Sequence, residues 1–211
     1  MKEDRTKKKE APIVLTTEFI QKTMNGVVFN VSHGKLVELV KELGASMKKL
    51  ADGFEAIGKV RQGDACALQS AFLRMHPVET YCNLARMCRV QPADMEGGSE
   101  EALFVFNLLR TIVNAARSHL PGYTQLCEQY VDSKGVHLSL ETLGRPEFLA
   151  IRQDNPNNPN MSPVVGFIGK HIEFLFYISI NPKLESHLGV LLRASGFLDI
   201  IEPYTKIEYV T

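Results

Sequence analysis

The chain has 211 residues, 45% of them apolar and 23% charged, with 24 Lys and Arg balanced by 24 Asp and Glu. That length and balance fit an ordinary soluble domain with a core of good size. They exclude a partner selected by net charge alone, since the formal charge is zero. The charge is nonetheless uneven: residues 1–62 hold 12 basic side chains against 8 acidic ones, and residues 63–211 hold 12 against 16.

Residues 1–12 form a charged, apolar-poor arm carrying Lys7, Lys8 and Lys9, expected to be flexible in isolation. It has no apolar stretch of the kind a secretory signal needs. The next stretch suggests a small β element: residues 13–15 and 27–31 are short β-like runs around a helical turn over residues 16–24, with Asn25 and Gly26 as a turn signal.

Residues 35–57 carry the clearest periodicity. Leu36, Val40, Leu43, Met47, Leu50, Phe54 and Ile57 follow alternating spacings of four and three, a heptad seam sustained over three heptads. Ser32 is placed to cap this helix. Such a seam serves equally for an antiparallel pair inside a helical bundle or for association between copies. Gly44 and Gly53 lie off the seam and weaken the helix, and an intramolecular pair is the preferred reading.

Two shorter helices are predicted over residues 64–75 and 78–90. His76-Pro77 separates them, because proline disfavours helix at the residue before it and suits a first turn. Residues 91–98 read as a loop. Ser99, Glu100 and Glu101 then open a strong helix by capping and by complementing the helix dipole. Its apolar face is Val105, Leu108, Leu109, Ile112, Val113 and Ala116, and it is expected to run to about Leu120.

Residues 124–131 and 146–152 are short helices, whereas residues 136–140 read as strand or loop. The polar stretch 155–160 (NPNNPN) is a linker between a lobe over residues 13–154 and a C-terminal lobe over 161–211. The second lobe opens on the most apolar run, residues 162–180. Gly166, Lys170, Glu173 and Tyr177 form a narrow polar stripe on a helix otherwise apolar all round, the pattern of a central, buried helix. Lys170 and Glu173 at its middle argue against a membrane span. A further helix over 183–194 and a terminal strand over 206–210 complete the reading. The fold class is therefore mainly α, a bundle of about seven to nine helices with short β segments near both termini.

The motifs argue against several chemistries. Gly166-x-x-Gly169-Lys170 matches part of a phosphate loop, but Val164 and His171 stand where a glycine and a hydroxyl are needed. Cys66, His76, Cys82 and Cys88 lack the C-x-x-C spacing that presets zinc geometry. There is no G-x-S-x-G, and His171 falls among apolar neighbours as a core histidine would. No metal, cofactor or catalytic residue is expected. Four sparse cysteines in apolar contexts suit reduced thiols in an intracellular setting, cytoplasmic or nuclear.

The most suggestive feature is arginine. Between residues 60 and 133 every basic side chain is Arg, the residue that pairs bidentately with phosphate and tolerates partial burial. Arg86 and Arg89 are three apart, and Arg110 and Arg117 are seven apart. With Arg74 and the arm lysines they suggest a groove for RNA or single-stranded DNA, with Tyr81 and Tyr123 near enough to stack bases. Pairing with nearby carboxylates is the competing use of the same arginines. The expected function is thus a non-enzymatic, self-assembling helical subunit of nucleocapsid-like kind. A protein–protein adaptor docking through the 36–57 seam is the alternative, and an enzyme ranks third.

Overall fold

The computed structural model describes residues 15–57, 62–117, 120–154, 163–184, 189, 199–200 and 202. These hold ten helices and no strand. In order they are α1 (Thr17–Ser32), α2 (Leu36–Ile57), α3 (Gln62–Leu73), α4 (Pro77–Cys88), α5 (Pro92–Glu96), α6 (Glu100–Ala115), α7 (Tyr123–Asp132), α8 (Gly135–Leu143), α9 (Pro146–Asp154) and α10 (Pro163–Ser179). The basic arm, the 155–160 linker, most of the predicted 183–194 helix and the predicted 206–210 strand lie outside the described residues. No helix among the described residues is long and apolar enough to cross a membrane.

The N-terminal β element is not present among the described residues. Residues 27–31 belong to α1, because Ile20, Met24, Val27 and Val31 repeat at helical spacing and all face the core. Gly26 serves packing rather than a turn. A methyl group there would stand 2.8 Å from Leu43 of α2, so the glycine lets the two helices approach. Asn30 then donates its amide to the Gly26 carbonyl at 2.9 Å. Ser32 closes α1 by donating to the Phe29 carbonyl, and does not cap α2. Residues 136–140 are likewise helical, within α8. The predicted 91–98 loop contains the short helix α5, opened where the Gln91 backbone N–H donates to Asp94.

The central element is α6. Phe104, Val105, Leu108, Leu109, Ile112, Val113 and Ala115 are all buried, and α2, α4, α5, α7 and α10 pack around it. Ser99 caps it by accepting from the Ala102 N–H. It stops at Ala115 rather than near Leu120. There the buried amide of Gln69 donates to the Ala115 carbonyl and accepts from the Gly122 N–H at 2.8 Å, which turns the chain into α7.

The seam of α2 faces this core. Met47, Leu50 and Phe54 are fully buried, Val40 nearly so, and Leu36, Leu43 and Ile57 pack at the margin. The main partner of α2 is α6, followed by α1.

Helix α10 rests on α6 and α8 through Val164, Phe167, Ile168, Phe174, Leu175 and Ile178. It is not buried all round: Val165, Phe176 and Ile180 point outward and are about half exposed (43%, 56% and 47%). Its polar stripe is a ladder in which Lys170 pairs with Glu173 at 2.6 Å and the Tyr177 hydroxyl donates to Glu173 at 2.8 Å.

Candidate functional site

The buried polar groups of α7, α8 and α10 look at first like a catalytic set. Ser139 Oγ lies 2.7 Å from His171 Nδ1, and His171 Nε2 lies 3.3 Å from the Tyr81 hydroxyl. The Tyr130 hydroxyl closes the chain with a short hydrogen bond to Ser139. A hydroxyl beside an imidazole is the arrangement of a nucleophile and its base. Here all four side chains are fully buried, so no substrate reaches the serine. Burial also pushes the His171 imidazole down to about 3, which leaves it without the basicity that the role needs near neutral pH. The set is a satisfied polar network inside the core. It also removes Tyr81 from any base-stacking role.

The arginines do not converge on one cleft. Arg110 of α6 turns onto α2, where it pairs with Asp52 at 2.7 Å and forms a shorter pair with Glu55. Lys48 joins Asp52 at 2.9 Å. Burial raises the Asp52 carboxyl, but the hydrogen bonds from Lys48 and Arg110 outweigh it and hold the group below its usual range. Arg110 is therefore a neutralised, structural cation. Arg117 donates to the Asn114 side-chain Oδ1 at 3.5 Å, and Lys170 approaches the same atom at 3.4 Å. Arg117 lies near enough to Tyr177 of α10 to act on its hydroxyl. Tyr123 is tied there too, its hydroxyl bonded to the Tyr177 carbonyl. Arg89 ends α4 on the surface in a left-handed conformation, φ 42°.

Arg74 and Arg86 do share one groove. Both line an open groove of about 760 Å³ between α1 and α4, with His76 and Asn83 beside them. Val28, Met75 and Met87 form its apolar side, and Glu79 is the one acidic side chain among its described lining residues. Neither arginine has an ion-pair partner among the described residues. Arg86 donates to the Ser133 carbonyl, at 2.9 Å, which draws the exposed Lys134 turn toward the end of α4.

The local chain explains the geometry. Helix α3 ends at Leu73, and Pro77 starts α4 at its first turn. His76 between them takes a left-handed conformation, φ 46° and ψ 52°, which β-carbon sterics disfavour for any residue except glycine. The sharp turn sets Arg74 and His76 on a ridge. On its other side a second groove, of about 490 Å³, runs between α3 and α7 and carries Glu128 and Asp132. Arg74 and His76 line this groove too, so Arg74 stands between the two, and Arg86 lines the α1–α4 groove alone.

The sequence alone points to Arg74 and Arg86 but not to Asn83, Met75, Met87 and Val28, which only the packing of α1 on α4 assembles. Nor does it reveal an exposed ring pair. Phe29, half exposed, stacks on His33 with centroids 4.3 Å apart, and Lys35 stands over the Phe29 ring at 5.3 Å. This pair sits one residue along α1 from Val28 and Ser32 of the groove.

The four cysteines are free thiols. Burial raises Cys82 and Cys127 to about 12 and Cys88 to about 11, which makes these three poor nucleophiles. The chain matches no protein-family model, no curated protein and no solved structure.

Proposed function

We propose that the protein is a non-enzymatic helical binding subunit that holds single-stranded nucleic acid in the α1–α4 groove. The observation that carries this reading is the pair Arg74 and Arg86, two cations without a carboxylate partner among the described residues that share one open groove. Guanidinium groups so placed hold successive phosphates, and Asn83, Thr80 and Ser32 supply neutral donors for phosphate and sugar. The apolar side and the Phe29–His33 pair offer surfaces against which unstacked bases lie. Glu79 sets a limit on affinity, as does the neutral net charge.

One observation favours a second reading. Val28, Met75 and Met87 give the groove an apolar side of the adaptable kind that protein segments use. An acidic, apolar-anchored peptide fits the same surface. The 36–57 seam is committed to the core and is a poor docking face for an adaptor.

Titrating a fluorescent single-stranded oligonucleotide at two ionic strengths separates the two. The nucleic-acid reading expects binding that weakens with salt. Arg74→Ala with Arg86→Ala should lower affinity and flatten the log–log salt slope by roughly 1.4, about 0.7 for each phosphate left without its guanidinium. Arg110→Ala is the contrasting variant. It should leave binding intact and cost roughly 1 kcal/mol of stability, the upper end for a partly exposed ion-pair network. Absence of oligonucleotide binding at low salt, with binding of an acidic peptide that the double variant abolishes, would transfer the groove to the adaptor reading.

A further inference from the structure

The α1–α4 groove holds a carboxylate, which a surface for phosphates alone gains nothing from. Glu79 is exposed in the first turn of α4. It forms no ion pair among the described residues, although Arg74 and Arg86 line the same groove. Asn83, also exposed, follows it at a spacing of four, and Met87 follows Asn83 at the same spacing. The three therefore make one stripe along the groove wall of α4, with the β-carbons of Glu79 and Asn83 about 5–6 Å apart. Arg86 stands beside the far end of the stripe, and Arg74 precedes its near end across the His76 turn. The two cations thus flank the carboxylate and the amide.

The hydrogen-bonding chemistry of that order favours one base. An ionised carboxylate only accepts, through two oxygens, whereas a side-chain amide both donates and accepts. A base edge that suits the carboxylate must present two adjacent donors. Guanine does so: N1–H and the N2 amine lie side by side, and O6 next to them is an acceptor. Adenine and cytosine each set one amine beside a bare ring nitrogen. Uracil and thymine place a carbonyl on either side of their single N–H, and those carbonyls repel a carboxylate.

We infer that Glu79 and Asn83 select an unpaired guanine in the strand this groove holds, an inference that rests on the nucleic-acid reading of the groove. Glu79 accepts from N1–H and the N2 amine, and Asn83 donates one amide hydrogen to O6. The base lies against Met75 and Met87, whose thioethers suit an aromatic face. Flanking phosphates fall to Arg74 and Arg86, which position the strand without reading it. Glu79 weakens phosphate binding a little for every sequence, yet it discriminates among bases, because a base without the two donors leaves it unpaired.

Fluorescence titrations at low salt test this with an all-uracil oligonucleotide and the same strand carrying one central guanine, inosine, adenine or cytosine. Wild type should bind the guanine strand roughly tenfold tighter than the all-uracil strand, the scale of one good bidentate base contact. Inosine lacks the N2 amine and should lose most of that advantage. Glu79→Gln should bring the guanine and all-uracil strands close to equality while tightening the all-uracil strand, since a charge that repels phosphate is gone. Asn83→Ala should lower the guanine preference as well. A carboxylate in a first helical turn also complements the helix dipole, but that role changes the melting temperature and not the ratio between strands. Run on ribose and deoxyribose backbones, the series names the source of the guanine as the one with the larger ratio. Equal binding of all wild-type strands, or a guanine preference that survives Glu79→Gln, overturns this inference and leaves nucleic-acid binding standing. If no strand binds at low salt, the nucleic-acid reading fails and this inference fails with it.

Discussion

Phe174→Ala lowers the unfolding free energy by about 3–5 kcal/mol, the range for deleting a buried aromatic side chain. Phe174 is fully buried, with its ring 4.1 Å from that of Tyr130. Truncation removes apolar area from the core and leaves a void that the surrounding helices cannot fill without moving. Phe176, two residues along the same helix, is the internal comparison: it is 56% exposed, and its replacement by alanine should change stability by about 0.5 kcal/mol or less. Urea denaturation of the two variants reads both values. A loss well under 1 kcal/mol for Phe174→Ala would mean that α10 is peripheral to the core.

The second large effect is acid sensitivity traceable to one imidazole. His171 is held neutral by burial, its value falling from 6.5 to about 3. The side chains around it are Ser139, Tyr81, Tyr130 and the Phe167 ring, whose centroid stands 4.6 Å away. None of these is a carboxylate that would welcome the proton. The unfolded chain takes up a proton near pH 6.5 and the folded one does not, so unfolding binds a proton throughout the interval between about 3 and 6.5. Stability from this site is therefore fully present above pH 6.5. It falls by about 1.4 kcal/mol for each pH unit below that, until the folded imidazole itself titrates. His171→Gln removes the titration. Its stability should accordingly depend less on pH than wild type's across that interval, by close to one proton in the slope. Parallel curves would show that His171 takes up its proton in the folded state without cost.

How much of this is legible in the sequence differs by element. The α2 helix is plain because its seam repeats over three heptads, and the α3–α4 break is plain because Pro77 enforces it. The α6 apolar face is legible too: Val105, Leu108, Leu109, Ile112, Val113 and Ala116 are all fully buried. A strand over residues 27–31 is the wrong reading because it weighs a run of β-branched residues locally. The longer register Ile20–Met24–Val27–Val31 is helical, and tertiary burial overrides short-range propensity. Helix α10 reads as central because nearly every direction is apolar. Its outer apolar residues instead form a second surface, which composition alone does not distinguish from a core face.

The candidate site is the least legible. A spacing of seven puts Arg110 and Arg117 on one side of α6, but what stands opposite is decided by tertiary packing. Asp52 and Glu55 lie off the α2 seam and give no local sign that they will reach Arg110. Arg74 and Arg86 sit on different elements, and only the turn at His76 and the packing of α1 bring them to one groove. Tyr81 shows the converse. Its place beside arginines suggests a stacking platform, yet it lies at an apolar position of α4 and its hydroxyl completes the His171 network.

Photocrosslinking shows where a bound strand lies. A single-stranded oligonucleotide carrying a photoactivatable base, crosslinked to the full chain at low salt and read by mass spectrometry of the digested adducts, reports the residues it touches without reference to affinity. A strand held in the α1–α4 groove gives adducts on the groove and its rim, at Phe29, Met75 and Met87, and loses them in the Arg74→Ala, Arg86→Ala variant. Adducts concentrated instead around Arg117 and Lys170, or none at all, would contradict the proposed binding function.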